Sequence, residues 1–435
     1  MKTVKKNKYF RQGIIFSISI YFHVFLCISA YSQSDSLMNY LEIAARNNPA
    51  VLQRYYEYEA ALQKVPQVGS LPDPVLSVGV FLSPMELVAG NQVADLRLMQ
   101  MFPWFGVLKS AKDEMSLMAK AKFELFRDAK LQLFYDVQRS WYDLYKVGQN
   151  IRIAEKNVAI LETIENLAIG RFKVAPMQSS TMGSSSGSSG VSDVYRIKIE
   201  IGDVQNNLDL LKNQRETTAA LFNSYMNRPP DSPVTLPDTL TADDFPLSLA
   251  ALTDSTLVNN PMLGMLDYEQ QAIEARKRMV TRMGYPMLGV GVDYSIISKS
   301  SMSTSTMNGK DMIMPMVTAT LPIYRKKYKA MHTEAALLDS ANSQNYQATS
   351  NALKTEYYQA MQLYQDAQRR VKLYAAQYQL ASQTLNIMLK SYTTSGVALT
   401  DVLGVCQQNL DYEYKKIEAL ADYNTSIAWL KRLLN

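Results

Sequence analysis

The sequence contains little cysteine, little histidine and no apolar run, after its first 32 residues, that is long enough for a transmembrane helix. Of its 435 residues, two are cysteine and two are histidine, and one of each lies in the N-terminal segment. Cys406 and His332 are the others. A single remaining cysteine excludes a disulfide framework. A zinc centre built on several histidines is excluded in the same way.

Charge is also unremarkable, with a formal net value of +5 and 20% charged residues. No basic stripe or known motif predicts nucleic-acid binding. The sequence shows no phosphate-binding loop, no metal-ligand spacing and no nucleophile–base set. We therefore expect a protein that is not an enzyme and that needs no cofactor and no bound metal.

The N-terminal segment 1–32 has the pattern of a secretory signal peptide. Several lysines precede an apolar stretch from Ile14 to Ala30, and Ala30-Tyr31-Ser32 is a small-x-small cleavage site. The alternative is an N-terminal membrane anchor, for which the apolar stretch is short. Leu26 before Cys27 is too large for a lipoprotein signal, so we expect Cys27 to be removed and not acylated.

Two parts of the chain repeat each other. Asn47-Asn48-Pro49 recurs 212 residues later as Asn259-Asn260-Pro261, and the stretch 74–80 recurs at the same offset as 286–292. Such periodicity determines the architecture. We assign a first repeat to 33–228, a Pro-rich connector to 229–250 and a second repeat to 251–435.

Each repeat contains two segments in which apolar and polar residues alternate. The pattern predicts strands at about 74–83, 92–102, 286–297 and 311–321, and alternation of this length is typical of transmembrane β-strands. Two ordinary hairpins on a soluble core are the alternative. In a barrel, one face would line the lumen with Asp95, Arg97, Met312, Met314, Met316 and Thr318.

The remaining sequence predicts helices. Residues from about 106 to 170 contain no proline and carry apolar residues seven apart, including Val137, Leu144 and Ile151, which indicates a heptad seam. A counterpart runs from about 326 to 391. Shorter helices are predicted at 37–65, 191–227, 254–282 and 398–433, and two of these stacked end to end would match one long helix.

In this order, these features resemble the TolC-like outer-membrane efflux factors over nearly the whole mature length. The marks are the repeat, the Asn-Pro openings, the long helices, Asn227-Arg228-Pro229-Pro230 and two tip segments. The resemblance implies a mainly α protein with a transmembrane β-barrel portion. Three protomers would each give four strands to one twelve-stranded barrel, and their helices would form a long α-helical barrel.

The resemblance also implies location, partners and sites. It places the protein in the outer membrane of a Gram-negative cell envelope, extending into the periplasm. A periplasmic adaptor (membrane fusion protein) and an inner-membrane pump of the resistance-nodulation-division type would be its partners. Asp401 corresponds to a periplasmic gate residue, although Gly404 stands where a second acidic residue often occurs. The adaptor-docking tips would include Arg171, Phe172, Asp193, Tyr392 and Gly396.

Several functional hypotheses remain open at this point. The first is an exit channel for efflux. Phe102-Pro103-Trp104-Phe105-Gly106 is similar to members that serve heavy-metal pumps, and five methionines between 302 and 316 suit Cu(I) or Ag(I). These methionines can equally be flexible apolar filler. The alternatives are the exit duct of type I protein secretion and a periplasmic coiled-coil tether or adaptor.

Overall fold

A computed structural model describes residues 35–174, 186–243, 259–394 and 397–434. The signal-peptide segment, residues 179–185 of the Ser/Gly-rich tract and part of the predicted connector lie outside these ranges. The elements in chain order are α1 (Asp35–Asn47), α2 (Pro49–Gly69), β1 (Val75–Leu87), β2 (Gly90–Phe102), α3 (Val107–Val174), α4 (Ser186–Tyr225), α5 (Pro261–Met283), β3 (Leu288–Ser298), β4 (Met312–Ala319), α6 (Arg325–Thr393) and α7 (Leu399–Leu434).

The chain divides into two compact units. The first, which we call the helical unit, comprises the described parts of 1–52, 130–252 and 355–435, and the second, the sheet unit, comprises 53–129 and the described part of 253–354. The protein is therefore mainly helical with one small sheet, in agreement with the α-rich class predicted from the sequence.

The sheet unit contains a four-stranded antiparallel sheet in the order β1-β2-β3-β4. β1 extends to Leu87, and only Val88 and Ala89 separate it from β2. Much of the segment 83–91, which alternation alone does not assign to a strand, is thus part of the hairpin. The register between β1 and β2 shifts between Val80 and Met85, and an irregularity of this kind hides the period-two pattern.

The Asn-Pro motif of each repeat begins a helix. Asn260 is the N-cap of α5, and its side chain accepts a hydrogen bond from the Met262 backbone N–H. The Asn48 side chain accepts from the backbone N–H groups of Ala50 and Val51. An Asn side chain satisfies the free amides of a first turn, and proline fits there because it has no N–H. The sequence predicted one helix over 37–65, whereas the motif divides it into α1 and α2.

The heptad residues of α3 lie in the core of the helical unit. Val137, Leu144 and Ile151 are 0%, 2% and 6% exposed. From Val147 to Ala168 this seam packs with buried residues of α4, α6 and α7 in one apolar cluster. The heptad prediction is confirmed, because the residues seven apart are buried against other helices, as a packed seam requires.

Buried amides hold the described part of the connector. Asn223, which is fully buried, donates to the carbonyl oxygens of Pro230 and Ser232 at 2.8 and 2.9 Å. Asn424 accepts from the Asp243 N–H at 3.0 Å and donates to the Thr241 carbonyl at 2.9 Å. Because backbone groups need partners when they leave water, these two side chains determine the path of a segment that has no secondary structure of its own.

No helix among the described residues is long and apolar enough to cross a membrane.

Candidate functional site

The strand register places the residues predicted to line a lumen on one face of the sheet, here called the polar face. Asp95 pairs with Ser295 and then Met312, and Arg97 pairs with Asp293 and then Met314. Met316 and Thr318 follow Met314 at alternate positions of β4, so they share its face. These side chains therefore form adjacent rows. Whether the face lines a lumen depends on assembly.

An ion pair lies in the middle of the polar face. The Nε and Nη2 atoms of Arg97 each lie 2.9 Å from one carboxylate oxygen of Asp293. The Asp293 residue is 5% exposed, whereas the Arg97 side chain remains about half exposed at 48%. A nearly buried carboxylate requires such a partner. The Arg97 guanidinium supplies it, and because this side chain is half exposed, part of it remains accessible on the polar face.

Methionine side chains cover the two glycines of β3. In the register, Gly291 lies between Met99 of β2 and Met316 of β4. A Cβ atom built on Gly291 would be 3.1 Å from the Met99 Sδ. The Thr318 hydroxyl donates to the same sulfur at 3.7 Å. Soft, polarisable thioethers thus occupy the space that a β3 side chain would fill.

The opposite face, here called the apolar face, carries large apolar side chains that the described chain leaves exposed. Its members include Leu76, Val78, Val80, Leu98, Leu288, Val290, Val292, Ile313 and Val317, with exposures from 44% to 80%. Monomeric soluble proteins rarely expose contiguous apolar patches of this kind. The face must therefore meet a lipid or a protein surface.

Both outer edges of the sheet are open, because no described strand pairs beyond β1 or β4. The Thr320 N–H donates to the Met287 carbonyl. Backbone amides alternate along a strand, so the even-numbered residues of β4 point their N–H groups at β3. The Pro315 nitrogen consequently faces the outer edge, where the absence of an N–H leaves the pairing with β3 intact.

Asp401 lies in the first turn of α7, which begins at Leu399. Its carboxylate is exposed and favourably placed relative to the helix dipole. Gly404, one turn further on, is also exposed, and a Cβ atom there would meet no neighbour within 4 Å. The two positions therefore share one accessible helix surface.

The residues predicted to dock an adaptor differ in their environments. Asp193 is half-buried in α4. Tyr392 is 2% exposed and belongs to the apolar cluster of the helical unit, so its ring supports the local packing and is not free to contact a partner directly. Arg171 and Phe172 lie in α3. The side chains of Arg171 and Phe172, and all of Gly396, fall outside the described residues.

The structure adds features that sequence patterns did not single out. Burial raises the pKa of the Cys406 thiol to about 11, and its sulfur donates to the Asn157 side chain at 3.3 Å. This thiol is therefore unreactive at neutral pH. No group of three or more His, Cys, Asp or Glu side chains in the described ranges could hold a metal ion.

Comparison with solved structures identifies the fold. No family model and no curated protein matches the sequence. A membrane protein from Pseudomonas aeruginosa matches with a TM-score of 0.74 and 15% identity, over 92% of this chain and 92% of that one. The CusC transmembrane channel also matches with a TM-score of 0.74, at 14% identity and 92% of each chain. The open MtrE outer-membrane channel of Neisseria gonorrhoeae has a TM-score of 0.72 and 16% identity, over 92% and 88%.

This chain has the TolC-like fold. Identities of 14–16% establish the fold alone. In this fold, the sheet with its exposed apolar face and the long helix pairs are the two parts that bear on function.

Proposed function

We propose that this chain is one protomer of an outer-membrane exit channel in a tripartite efflux system. Three copies would contribute four strands each to a twelve-stranded barrel, and their long helices would continue the channel into the periplasm. Substrates would pass without catalysis. An inner-membrane pump, of resistance-nodulation-division type in this proposal, would supply the energy, and a periplasmic adaptor would join the two.

The observation that carries the proposal is the exposed apolar face of a sheet with two open edges. In lipid, unpaired strand edges are not tolerated, so four strands cannot span a bilayer alone. Several copies that pair edge to edge would satisfy every strand and turn the apolar face towards lipid. The polar face, with Arg97 and Asp293, would then surround a water-filled lumen.

Pore formation tests this function directly. The purified protein should migrate as a trimer before heating and as a monomer after it, and it should form discrete conductance steps in planar bilayers. A protein that remains in the aqueous phase with its long helices intact would contradict the proposal. That result would favour the alternative of a soluble periplasmic tether or adaptor.

A ring of three Asp401 carboxylates at the periplasmic entrance is the second element of the proposal. Acidic rings favour cations in channels. Asp401→Asn should lower the cation preference, because it removes the charge and leaves the helix intact. Gly404→Asp should raise it, because the exposed position accepts a side chain. Reversal potentials across a KCl gradient measure both changes, and two unchanged values would place the gate charge elsewhere.

The substrate class is a finer proposal, and the methionines favour a soft metal such as Cu(I) or Ag(I). Met99 and Met316 flank Gly291 on the polar face, and thioethers prefer these ions. Met99→Leu/Met316→Leu conserves side-chain volume and should weaken Ag(I) binding measured by calorimetry. Met38→Leu/Met85→Leu, on exposed residues outside the methionine cluster 302–316, is the matched control. Equal affinities would make the methionines apolar filler.

Type I protein secretion remains the other transport hypothesis, with the same channel joined to a different pump. Identification of the adaptor and pump that co-purify with the protein separates the two.

A further inference from the structure

An apolar cavity lies at the end of the sheet from which the long helices depart. Its volume is about 510 Å³. Leu288, Val290 and Val317 of the apolar face line it on one side, and the segment 102–106 lines it on the other. The cavity therefore opens on the same apolar face that the proposed function turns towards lipid, and its size is that of an ordinary ligand pocket.

Exposed aromatic and apolar side chains surround this end of the sheet. The rings of Trp104 and Tyr285 are stacked, with 5.2 Å between their centroids. Phe105 and Tyr324 are 82% and 76% exposed. Aromatic side chains with one polar end collect where a membrane-spanning segment meets water, so these residues indicate the level at which the sheet would leave the bilayer.

A run of four basic residues follows immediately along the chain. Thr320 is still hydrogen-bonded to Met287 beside the cavity, and Arg325, Lys326, Lys327 and Lys329 begin only five residues later. All four are exposed. None forms an ion pair with an acidic side chain among the described residues. The neighbouring Glu334 is already paired with Arg276 at 2.8 Å.

The position of these four cations in the chain is electrostatically unfavourable. They occupy the first turns of α6, which contains no acidic residue in its first turn. The N-terminal end of a helix carries partial positive charge and favours anions. Four cations at this position, none of them paired with an acidic side chain of the described ranges, therefore repel each other and the helix dipole, and a bound anion would reduce that repulsion.

We propose that this end of the sheet is a binding site for anionic phospholipid of the leaflet on the helical side. Acyl chains would lie against the cavity and the apolar face, and phosphate groups would lie against the basic run 325–329. Basic clusters next to a membrane-spanning segment attract anionic head groups. The inference rests on the proposed function, because it requires the apolar face to lie in a bilayer.

Lipid retention tests the site. Lys326→Gln/Lys329→Gln removes two charges that flank one surface groove, and Lys372→Gln/Lys390→Gln removes two exposed charges further along α6. Each protein would be mixed with phosphatidylglycerol or phosphatidylcholine in detergent, and bound lipid would be counted by native mass spectrometry. We expect phosphatidylglycerol binding to fall roughly tenfold to thirtyfold in the first variant. The control variant should match the wild type.

Additional measurements distinguish a phospholipid from other anions, and they separate the proposed lipid site from the proposed channel function. Inorganic phosphate should not displace phosphatidylglycerol, because it has no acyl chain for the cavity; displacement would show a plain phosphate site and overturn the lipid assignment. Stronger retention of lipopolysaccharide than of phosphatidylglycerol would overturn it as well. Conductance in pure phosphatidylcholine bilayers is measured first. A protein that conducts there but shows no preference for phosphatidylglycerol disproves the lipid site alone, whereas one that never inserts disproves the channel.

Discussion

Val292→Arg should prevent the protein from assembling as a membrane-inserted trimer, whereas Met314→Arg should leave assembly largely intact. The two residues are 47% and 51% exposed, so the substitutions are matched in accessibility. They differ in the face of the sheet on which they lie. An arginine on the lipid face of a barrel costs about 2–4 kcal/mol near the middle of the bilayer, and a lumen position carries no such cost.

The measurement is the heat-sensitive trimer band in outer-membrane fractions, supported by bilayer conductance. Because each trimer would carry three copies of the arginine, the cost of Val292→Arg would apply three times. Similar trimer yields for the two variants would show that the faces are not distinguished by lipid. Gly291→Arg would not serve as the polar-face control. A Cβ atom at this position would lie 2.7 Å from the Leu98 carbonyl oxygen, so any side chain there would disturb the sheet for steric reasons.

Asn223→Ala should lower the free energy of unfolding of the helical unit by about 3 kcal/mol, since a buried polar group that loses its partner costs about 1–3 kcal/mol. The substitution leaves the Pro230 and Ser232 carbonyls without their donor and removes the acceptor of the Arg228 Nε. The turn that these groups form includes Asn227 at a φ of 53°, a left-handed conformation that asparagine adopts more readily than most residues other than glycine.

Thermal unfolding in detergent and limited proteolysis of the connector measure this effect. Asn213→Ala, at an exposed position of the same helix, is the matched control and should change stability by no more than about 0.5 kcal/mol. If both variants unfold at the wild-type temperature and resist protease equally, the amide does not hold the connector.

The regular parts of the fold could be predicted from the sequence because periodicity directly reflects burial. The seven-residue spacing of Val137, Leu144 and Ile151 predicted a packed seam, and all three are buried. Alternation likewise placed Arg97 and Met314 on the same face, which the strand register confirms. The alternation in a strand specifies its register, because a slip of one residue would turn every side chain of the strand to the other face.

Other features depend on contacts that periodicity does not record. The break between α1 and α2 comes from the Asn48 side chain, which accepts hydrogen bonds from the Ala50 and Val51 backbone N–H groups and so caps the second helix. The extension of β1 to Leu87 passes through a register shift. The family resemblance placed Tyr392 at an adaptor-docking tip, yet the surrounding helices bury it. The cavity beside Trp104 arises only when residues from β2, β3 and β4 meet.

The proline in β4 also bears on how the protein would reach the membrane in the proposed function. An exposed edge strand invites pairing with any other unpaired chain, and this is a common route to aggregation. The outer edge of β4 offers a row of donors interrupted at Pro315, so it is a weaker template for an extended chain than an unbroken strand. A protomer in transit would thus be protected from pairing with the wrong strands while it is still water-exposed. Specific pairing with another copy would need only the donors on either side of the gap.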